Sequence, residues 1–134
     1  MTQQSVRQRE EGRVSTSDEA PLEDVLVFSG SAHTDLAREI ANYLDLNLSP
    51  TTIRKFSNDN YYIQLGHSVR AKQVFIVQPL SPPCSDNLME LLLMLDIARS
   101  GAAKDVCAVV PYYSYARSDK KDAPRISIAA RLVA

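Results

Sequence analysis

The residues most suited to chemistry lie in one charged stretch, Pro111 to Arg125, which reads PYYSYARSDKKDAPR. Its charged side chains are Arg117, Lys120, Lys121 and Arg125 together with Asp119 and Asp122, in a chain of 134 residues with a net charge of −1. Guanidinium and ammonium groups bind phosphate oxygens through charge-assisted hydrogen bonds, and the guanidinium does so bidentately. The stretch therefore predicts a site for a small anion such as phosphate, with a solvated charged loop as the alternative.

A second candidate is the polar cluster from Phe56 to Asn60, which reads FSNDN. Asn and Asp favour turns because their side chains bond to the nearby backbone, so a turn is the simpler interpretation. The functional alternative is a nucleobase site, in which Phe56 supplies a stacking face and the amide of Asn58 or Asn60 pairs with a base edge. The sequence leaves both interpretations open.

Three weaker candidates lie elsewhere in the chain. Ser29-Gly30-Ser31 falls between a predicted strand and a helix, where backbone N–H groups can hold a phosphate, but its shortness favours a tight turn. Ser68 and Arg70 precede another strand and combine a hydroxyl with a guanidinium, a pair that can bind phosphate. His33 and His67 have no acidic or thiol partner at metal-ligand spacing, so we expect capping or surface roles.

Composition excludes several classes of protein. A net charge of −1 argues against nucleic acid as the main partner, and no apolar run approaches the roughly 20 residues of a membrane span. Cys84 and Cys107 form no paired motif, which favours reduced thiols and a cytoplasmic location. The first residues lack the apolar stretch of a signal peptide.

Alternating strands and helices are expected to position these residues. The predicted strands are Val25–Phe28, Thr51–Lys55, Tyr61–Leu65, Val74–Gln78 and Val106–Val110. One helix is predicted from Leu36, Ile40, Tyr43 and Leu44, with Ser31 or Thr34 as its N-cap. This order predicts an α/β domain over 24–134, with a mostly parallel sheet flanked by helices. Residues 1–23 are polar and aperiodic, and we expect a disordered extension there.

The clearest helical pattern follows Cys84. Asn87 and Glu90 have the spacing of a capping box that would open the helix, and Gly101 would end it. One predicted apolar face consists of Leu88, Leu91, Leu92 and Leu95. The opposite side has little polar surface, so we expect the helix to be buried on more than one side; the apolar residues there are Met89, Leu93 and Met94. A last helix is predicted from about Ile126, and it reaches Ala134 in mid-pattern, as in a truncated chain.

Several of these segments together resemble a known family. The segments are FSGSAHTDLAREIA, KFSNDN, HSVRAKQVFIVQ, DNLMELLLMLDIARSGAAKDV and VVPYYSYARSDKKDAPR. From about Val25 to Ala134 they resemble the amino-terminal half of ribose-phosphate pyrophosphokinase, also called phosphoribosyl pyrophosphate synthetase. The resemblance implies an α/β domain similar to a type I phosphoribosyltransferase.

The resemblance also implies an activity. Family members transfer the β,γ-diphosphoryl group of ATP to the 1-hydroxyl of ribose 5-phosphate, with Mg²⁺, and assemble into homohexamers. The catalytic residues, the metal-binding carboxylates and the ribose-phosphate loop would lie beyond Ala134, so this chain would contain no catalytic or metal-binding residue and would be inactive alone. The alternative is a non-catalytic, synthetase-associated binding or assembly module.

Site residues follow from the same resemblance. Those implied to bind ATP are Phe56, Asn58, Asn60, Arg117, Ser118 and Asp122, with the first three reaching into a neighbouring subunit. Those implied to bind an allosteric phosphate or the phosphates of ADP are Ser68, Arg70, Lys120 and Lys121. This chain departs from the family pattern at Asn60, where Glu is usual, and at Ser118, where Gln is common.

Overall fold

The computed structural model describes residues 22–134. The predicted disordered extension lies outside the described residues, except for Leu22 and Glu23, which begin the 3₁₀ turn Leu22–Asp24. The strands that follow are β1 Val25–Ser29, β2 Thr51–Lys55, β3 Tyr61–Leu65, β4 Gln73–Val77 and β5 Asp105–Val109. The helices are α1 Thr34–Tyr43, α2 Cys84–Ser100 and α3 Ala129–Val133.

The central sheet is parallel, with the strand order β1-β4-β5. In its register Phe28 lies beside Ile76, and Ile76 lies beside Ala108. Parallel neighbours require long crossovers, which α1 and α2 help to provide. The predicted α/β class with a mostly parallel sheet and flanking helices is confirmed.

Two of the predicted strands lie outside this sheet. β2 and β3 form a separate antiparallel hairpin in which Ile53 pairs with Ile63. Only five residues, 56–60, connect them, and so short a connection cannot make the crossover that parallel pairing demands. The hairpin packs against α2.

The core lies on both faces of the sheet because successive residues of a strand point to opposite sides. On the α2 face, Phe28 and Ile76 are fully buried together with Met94 of the helix. On the α1 face, Val27 and Val77 pack against Ala37 and Ala41, whose small side chains let the helix approach closely.

The start of α1 differs from the prediction. The N-cap is His33, whose Nδ1 accepts a hydrogen bond of 3.1 Å from the Leu36 N–H. The prediction of Ser31 or Thr34 as the N-cap was therefore wrong. A capping role was the expectation for His33, and it is confirmed. Tyr43 is 89% exposed, because the buried stripe of this helix runs through Ala37 and Ala41 instead.

The predicted capping box of α2 is wrong. The helix begins at Cys84 with Pro83 as N-cap, and no side chain caps it. Asn87 and Glu90 lie on its buried face, where their side chains bond to other segments. Leu92, predicted to be buried, is 47% exposed.

Two predicted helix boundaries lie in the carboxyl-terminal part of the chain. Gly101 is confirmed as the C-cap of α2. Helix α3 begins at Ala129 rather than at Ile126. Ile128, the N-cap, has φ −91° and ψ 84°, outside the helical region, so the helix begins only after it.

Candidate functional site

Three connections leave the carboxyl edge of the parallel sheet side by side. The Gly30 N–H donates to the Val77 carbonyl over 3.1 Å, which joins the connection after β1 to the end of β4. The Leu80 N–H donates to the Tyr112 carbonyl over 2.8 Å, which joins the connections after β4 and β5. This edge is where α/β folds place ligands.

The connection after β5 forms a cleft of about 470 Å³ at this edge. Its lining residues are Pro111, Tyr112, Tyr113, Ser114, Ala116 and Arg117. The Ser114 hydroxyl is buried and has no hydrogen-bond partner within the described residues. A buried polar atom without a partner is costly, and a polar ligand would satisfy it.

The backbone around the cleft is held in place by short-range bonds. The Ala116 N–H donates to the Tyr113 carbonyl over 3.2 Å, and the Ser118 N–H donates to the Tyr115 carbonyl over 3.0 Å. The Tyr113 hydroxyl donates to the Ala130 carbonyl over 2.7 Å, so α3 fixes the loop from the other side. The cleft is therefore preorganised rather than open coil.

Arg117 is the cationic residue that lines this cleft. Its side chain is exposed and makes no salt bridge to any residue between 22 and 134. A free guanidinium offers five N–H donors in a planar fork that fits phosphate oxygens. Arg117 and the Ser114 hydroxyl together suit a phosphorylated ligand.

The remaining predicted residues of the loop lie farther along it. Lys120, Lys121, Asp122 and Arg125 are exposed, and Ser118 is half-buried. The Ser118 carbonyl accepts a bond of 3.1 Å from the Ala130 N–H. None of these side chains lines the cleft of Arg117.

The polar cluster 56–60 is the turn of the β2–β3 hairpin, as the simpler interpretation predicted. The Phe56 N–H donates to the Asn60 carbonyl over 2.8 Å, and Asp59 adopts φ 65° in the left-handed region that Asp tolerates. The Asn60 N–H donates to Asn58 Oδ1 over 3.2 Å. Phe56 is 54% exposed, so its ring remains available for stacking.

The turn is fixed by Lys55, which sequence reasoning missed. Its ammonium lies 3.0 Å from Asp86 Oδ2 and 3.3 Å from Asp59 Oδ1, and it stands 5.4 Å from the centre of the Tyr61 ring. Hydrogen bonds first to Asp86 and then to Asp59 raise the pKa of Lys55, so the side chain is charged. Asp59 is four residues away and could have been suspected, but no local signal points to Asp86.

Ser29-Gly30-Ser31 is a tight structural turn, as expected. The Ser31 N–H donates to Glu90 Oε2 over 2.9 Å, and the Ala32 N–H donates to Gln78 Oε1 over 3.2 Å. The turn does line a cleft of about 410 Å³. Because these donors are already occupied, the turn does not form a phosphate cradle.

Comparison with known proteins places this arrangement in a family. The family model for the N-terminal domain of ribose phosphate pyrophosphokinase matches residues 25–134. The chain belongs to the ribose-phosphate pyrophosphokinase family. Its similarity to curated ribose-phosphate pyrophosphokinases is 54% identity over 110 residues for the Deinococcus radiodurans protein and 51% over 108 residues for the Helicobacter hepaticus protein.

These alignments cover most of the chain but a minor part of the relatives. They span 82% of this chain and 34% of the Deinococcus protein, and 81% of this chain and 35% of the Helicobacter protein. The fold is similar to the crystal structure of phosphoribosylpyrophosphate synthetase from Mycobacterium smegmatis, with a TM-score of 0.80 and 40% identity. That match covers 83% of this chain and 37% of the other.

The family resemblance implied a phosphate site that combines Ser68 and Arg70 with Lys120 and Lys121. Ser68 and Arg70 are exposed and directly precede β4, at the amino edge of the sheet, whereas the two lysines follow β5 at the carboxyl edge. The strands between these edges have five residues each, roughly 16 Å. The two pairs therefore follow or precede strand ends at opposite edges of the sheet.

The described residues provide no metal centre for the Mg²⁺ that pyrophosphokinases are expected to use. No group of three or more His, Cys, Asp or Glu side chains in 22–134 is arranged to hold a metal ion. His67 instead lies 3.3 Å from the Ser49 hydroxyl through Nδ1. Among the described helices, none has the length and apolarity needed to cross a membrane.

Proposed function

We propose that this chain forms part of the ATP-binding machinery of a cytoplasmic ribose-phosphate diphosphokinase. The reaction transfers the β,γ-diphosphoryl group of ATP to the 1-hydroxyl of ribose 5-phosphate and yields phosphoribosyl pyrophosphate and AMP. Family membership supports the reaction. The structural observation behind the site is the preorganised cleft in which Arg117 stands beside the unpartnered Ser114 hydroxyl.

Two residues of the cleft and two residues farther along the loop have defined tasks in this proposal. Arg117 binds phosphate oxygens of ATP, and the Ser114 hydroxyl supplies a further hydrogen bond within the cleft. Ser118 and Asp122, farther along the same loop, contact the nucleotide outside the cleft. Catalysis of phosphoryl transfer depends on positioning and on neutralising charge, and this loop provides part of both.

The base is held by the hairpin turn of a second subunit. Phe56 stacks on the adenine ring, while the amides of Asn58 and Asn60 bond to its edge. This arrangement makes the homo-oligomer, a hexamer in the family, part of the binding site. A second copy also brings Ser68 and Arg70 of one chain to Lys120 and Lys121 of another, forming the regulatory phosphate site.

Mg²⁺ bound to the ATP phosphates supplies charge neutralisation and orientation. Within residues 22–134 no group of three or more His, Cys, Asp or Glu side chains is arranged to hold it. The 1-hydroxyl oxygen attacks the β-phosphorus and loses its proton to solvent, the bond between the α-phosphate oxygen and the β-phosphorus breaks, and AMP leaves. This chain holds the donor nucleotide during the transfer.

The proposal is tested by titrating the chain with ATP and following binding by calorimetry or by NMR of the Arg117 Nε–H. Arg117→Ala removes charge-assisted hydrogen bonds and is expected to weaken binding by about 1.5–3 kcal/mol. Arg99→Ala is the matched control, because Arg99 is an exposed arginine in the last turn of α2. Equal ATP affinities for the Arg117 variant and the native chain would refute the site.

A further inference from the structure

The hairpin turn 56–60 contains one carboxylate and several neutral polar groups. The carboxylate, that of Asp59, is exposed and lies 3.3 Å from the Lys55 ammonium, which offsets part of its charge. The neutral polar side chains of the turn, in which the Phe56 ring is exposed, are the Ser57 hydroxyl and the amides of Asn58 and Asn60. The two amides are planar groups that can pair with a base edge through either a donor or an acceptor.

The two amides differ in what they offer. Asn58 Oδ1 accepts the Asn60 backbone N–H over 3.2 Å, and only the oxygen of an amide can accept, so this bond fixes which atom is which. Both hydrogens of Asn58 Nδ2 are left for a ligand. The Asn60 side chain makes no hydrogen bond within the described residues, so it can turn either its oxygen or its nitrogen toward a base.

Adenine and guanine differ at the 6-position. Adenine presents an amino donor beside the N7 acceptor, whereas guanine presents two acceptors, O6 and N7. An oxygen from Asn60 and a nitrogen from Asn58 match the adenine edge. Two nitrogens, one from each residue, match the guanine edge.

We propose that the turn accepts 6-oxopurine as well as 6-aminopurine nucleotides, with Asn60 as the residue that sets this specificity. This inference rests on the proposed nucleotide-binding function. Stacking on Phe56 is compatible with both kinds of purine nucleotide, because every base presents a π-face. Strong discrimination arises when a site's fixed polar groups are left unpaired by the wrong ligand, and a rotatable amide avoids that penalty.

The experiment is NMR titration of the chain with ATP and with GTP, monitoring the Asn58 and Asn60 side-chain NH₂ signals and the Arg117 Nε–H. We expect both nucleotides to shift all three signals, with dissociation constants within about tenfold, a ratio toward the lower end of the discrimination that one well-formed bidentate base contact produces. If ATP shifts all three signals but its preference over GTP exceeds about tenfold, the inference is wrong and the proposed function stands. If neither nucleotide shifts any signal, both are wrong.

A variant tests the role of Asn60 directly. In Asn60→Asp the new side chain has nearly the same shape, but its carboxylate can only accept hydrogen bonds. It can therefore still accept a bond from the 6-amino group of adenine, whereas it repels O6 of guanine. We expect the preference for ATP over GTP to rise by about tenfold or more. Ser57→Asp adds the same charge to the same turn and should leave the preference unchanged. An equal change in both variants would assign the effect to charge and overturn the role of Asn60.

Discussion

Ser31 and Glu90, which are 59 positions apart in the sequence, are joined through both the backbone and the side chain of the serine. The Ser31 N–H donates to Glu90 Oε2 over 2.9 Å, and the Ser31 hydroxyl lies 2.7 and 2.8 Å from the two carboxylate oxygens. Gln78 Nε2 donates to the same carboxylate over 3.0 Å. Glu90 is only 2% exposed, so it connects the turn after β1, the end of β4 and α2 inside the protein.

Replacing this carboxylate tests its structural importance. In Glu90→Gln the side chain keeps its shape but presents an NH₂ group to donors, so at least one buried donor loses its acceptor. We expect the free energy of unfolding to fall by about 1–3 kcal/mol, measured by urea denaturation. Glu39→Gln, at an exposed position of α1, is the control and should have little effect. Equal stabilities of the two variants would contradict the assignment.

Gly30 leaves no room for a side chain. A Cβ built there would overlap the Gln78 amide, with Nε2 at 2.8 Å. Gln78 is fully buried and bonded through both ends of its amide, so it cannot move aside. We expect Gly30→Ala to cost about 1–3 kcal/mol of stability by urea denaturation.

A double-mutant cycle isolates the cause of this destabilisation. In a Gln78→Ala background the overlapping amide is gone, so Gly30→Ala should cost clearly less than it does in the native chain. Such non-additivity is the expected result for groups in contact. Additive effects would show that the cost has another origin.

We predict that Lys55 stabilises the hairpin turn 56–60 in the conformation described above. Lys55→Met removes the ion pairs with Asp59 and Asp86 while keeping the aliphatic stem. We expect hydrogen exchange at the Phe56 N–H to accelerate by up to about fivefold, since solvent-exposed ion pairs contribute only weakly to stability. Arg54→Met changes an exposed cation on the same strand and should leave that exchange unchanged; unchanged exchange in both variants would refute the role of Lys55.

Acid should weaken the contact between Asp24 and Lys72, whose charged atoms are 2.7 Å apart. The hydrogen bond from Lys72, and then its charge, lower the pKa of Asp24 below the usual 3.8. A carboxyl group whose pKa is lower in the folded state than in the unfolded state stabilises the fold at pH values above its ordinary pKa. This stabilisation is lost as the pH falls below about 4. The Asp24→Asn variant should therefore have a lower free energy of unfolding than the native chain at pH 7. It should also lose less of that free energy than the native chain does when the pH falls from 7 to 3.

Urea denaturation at the two pH values measures this difference. Asp96→Asn is the control, because Asp96 is an exposed aspartate whose side chain makes no bond in the described part of the chain. It should respond to acid as the native chain does. If the Asp24 variant lost as much stability on acidification as the native chain does, the assigned role of the contact between Asp24 and Lys72 would be wrong.

Several elements were predictable because their causes are local. The apolar runs at Val25 and Val74 indicated buried strands since few other local structures suit such residues, and both strands formed within one residue of the prediction. Gly101 indicated a helix end because it favours that position. The Phe56–Asn60 turn followed from local hydrogen bonding of Asn and Asp.

The predictions that failed depended on what a side chain meets across the fold. Asn87 and Glu90 have capping-box spacing, but their partners are the Ser81 carbonyl and Ser31, which only tertiary packing supplies. Ser114 gave no signal in the sequence, since its importance is a buried hydroxyl that finds no hydrogen-bond partner among the described residues.

By itself, the sequence determined the α/β class, the family and the residue types that could bind a nucleotide. The tertiary structure decided which of those groups are free. It assigned the Ser31 N–H to Glu90 and left the Arg117 guanidinium and the Asn60 amide without partners within residues 22–134. The physical reason is that a hydrogen-bonding group occupied inside the protein has little left for a ligand, and occupancy is set by neighbours distant in sequence.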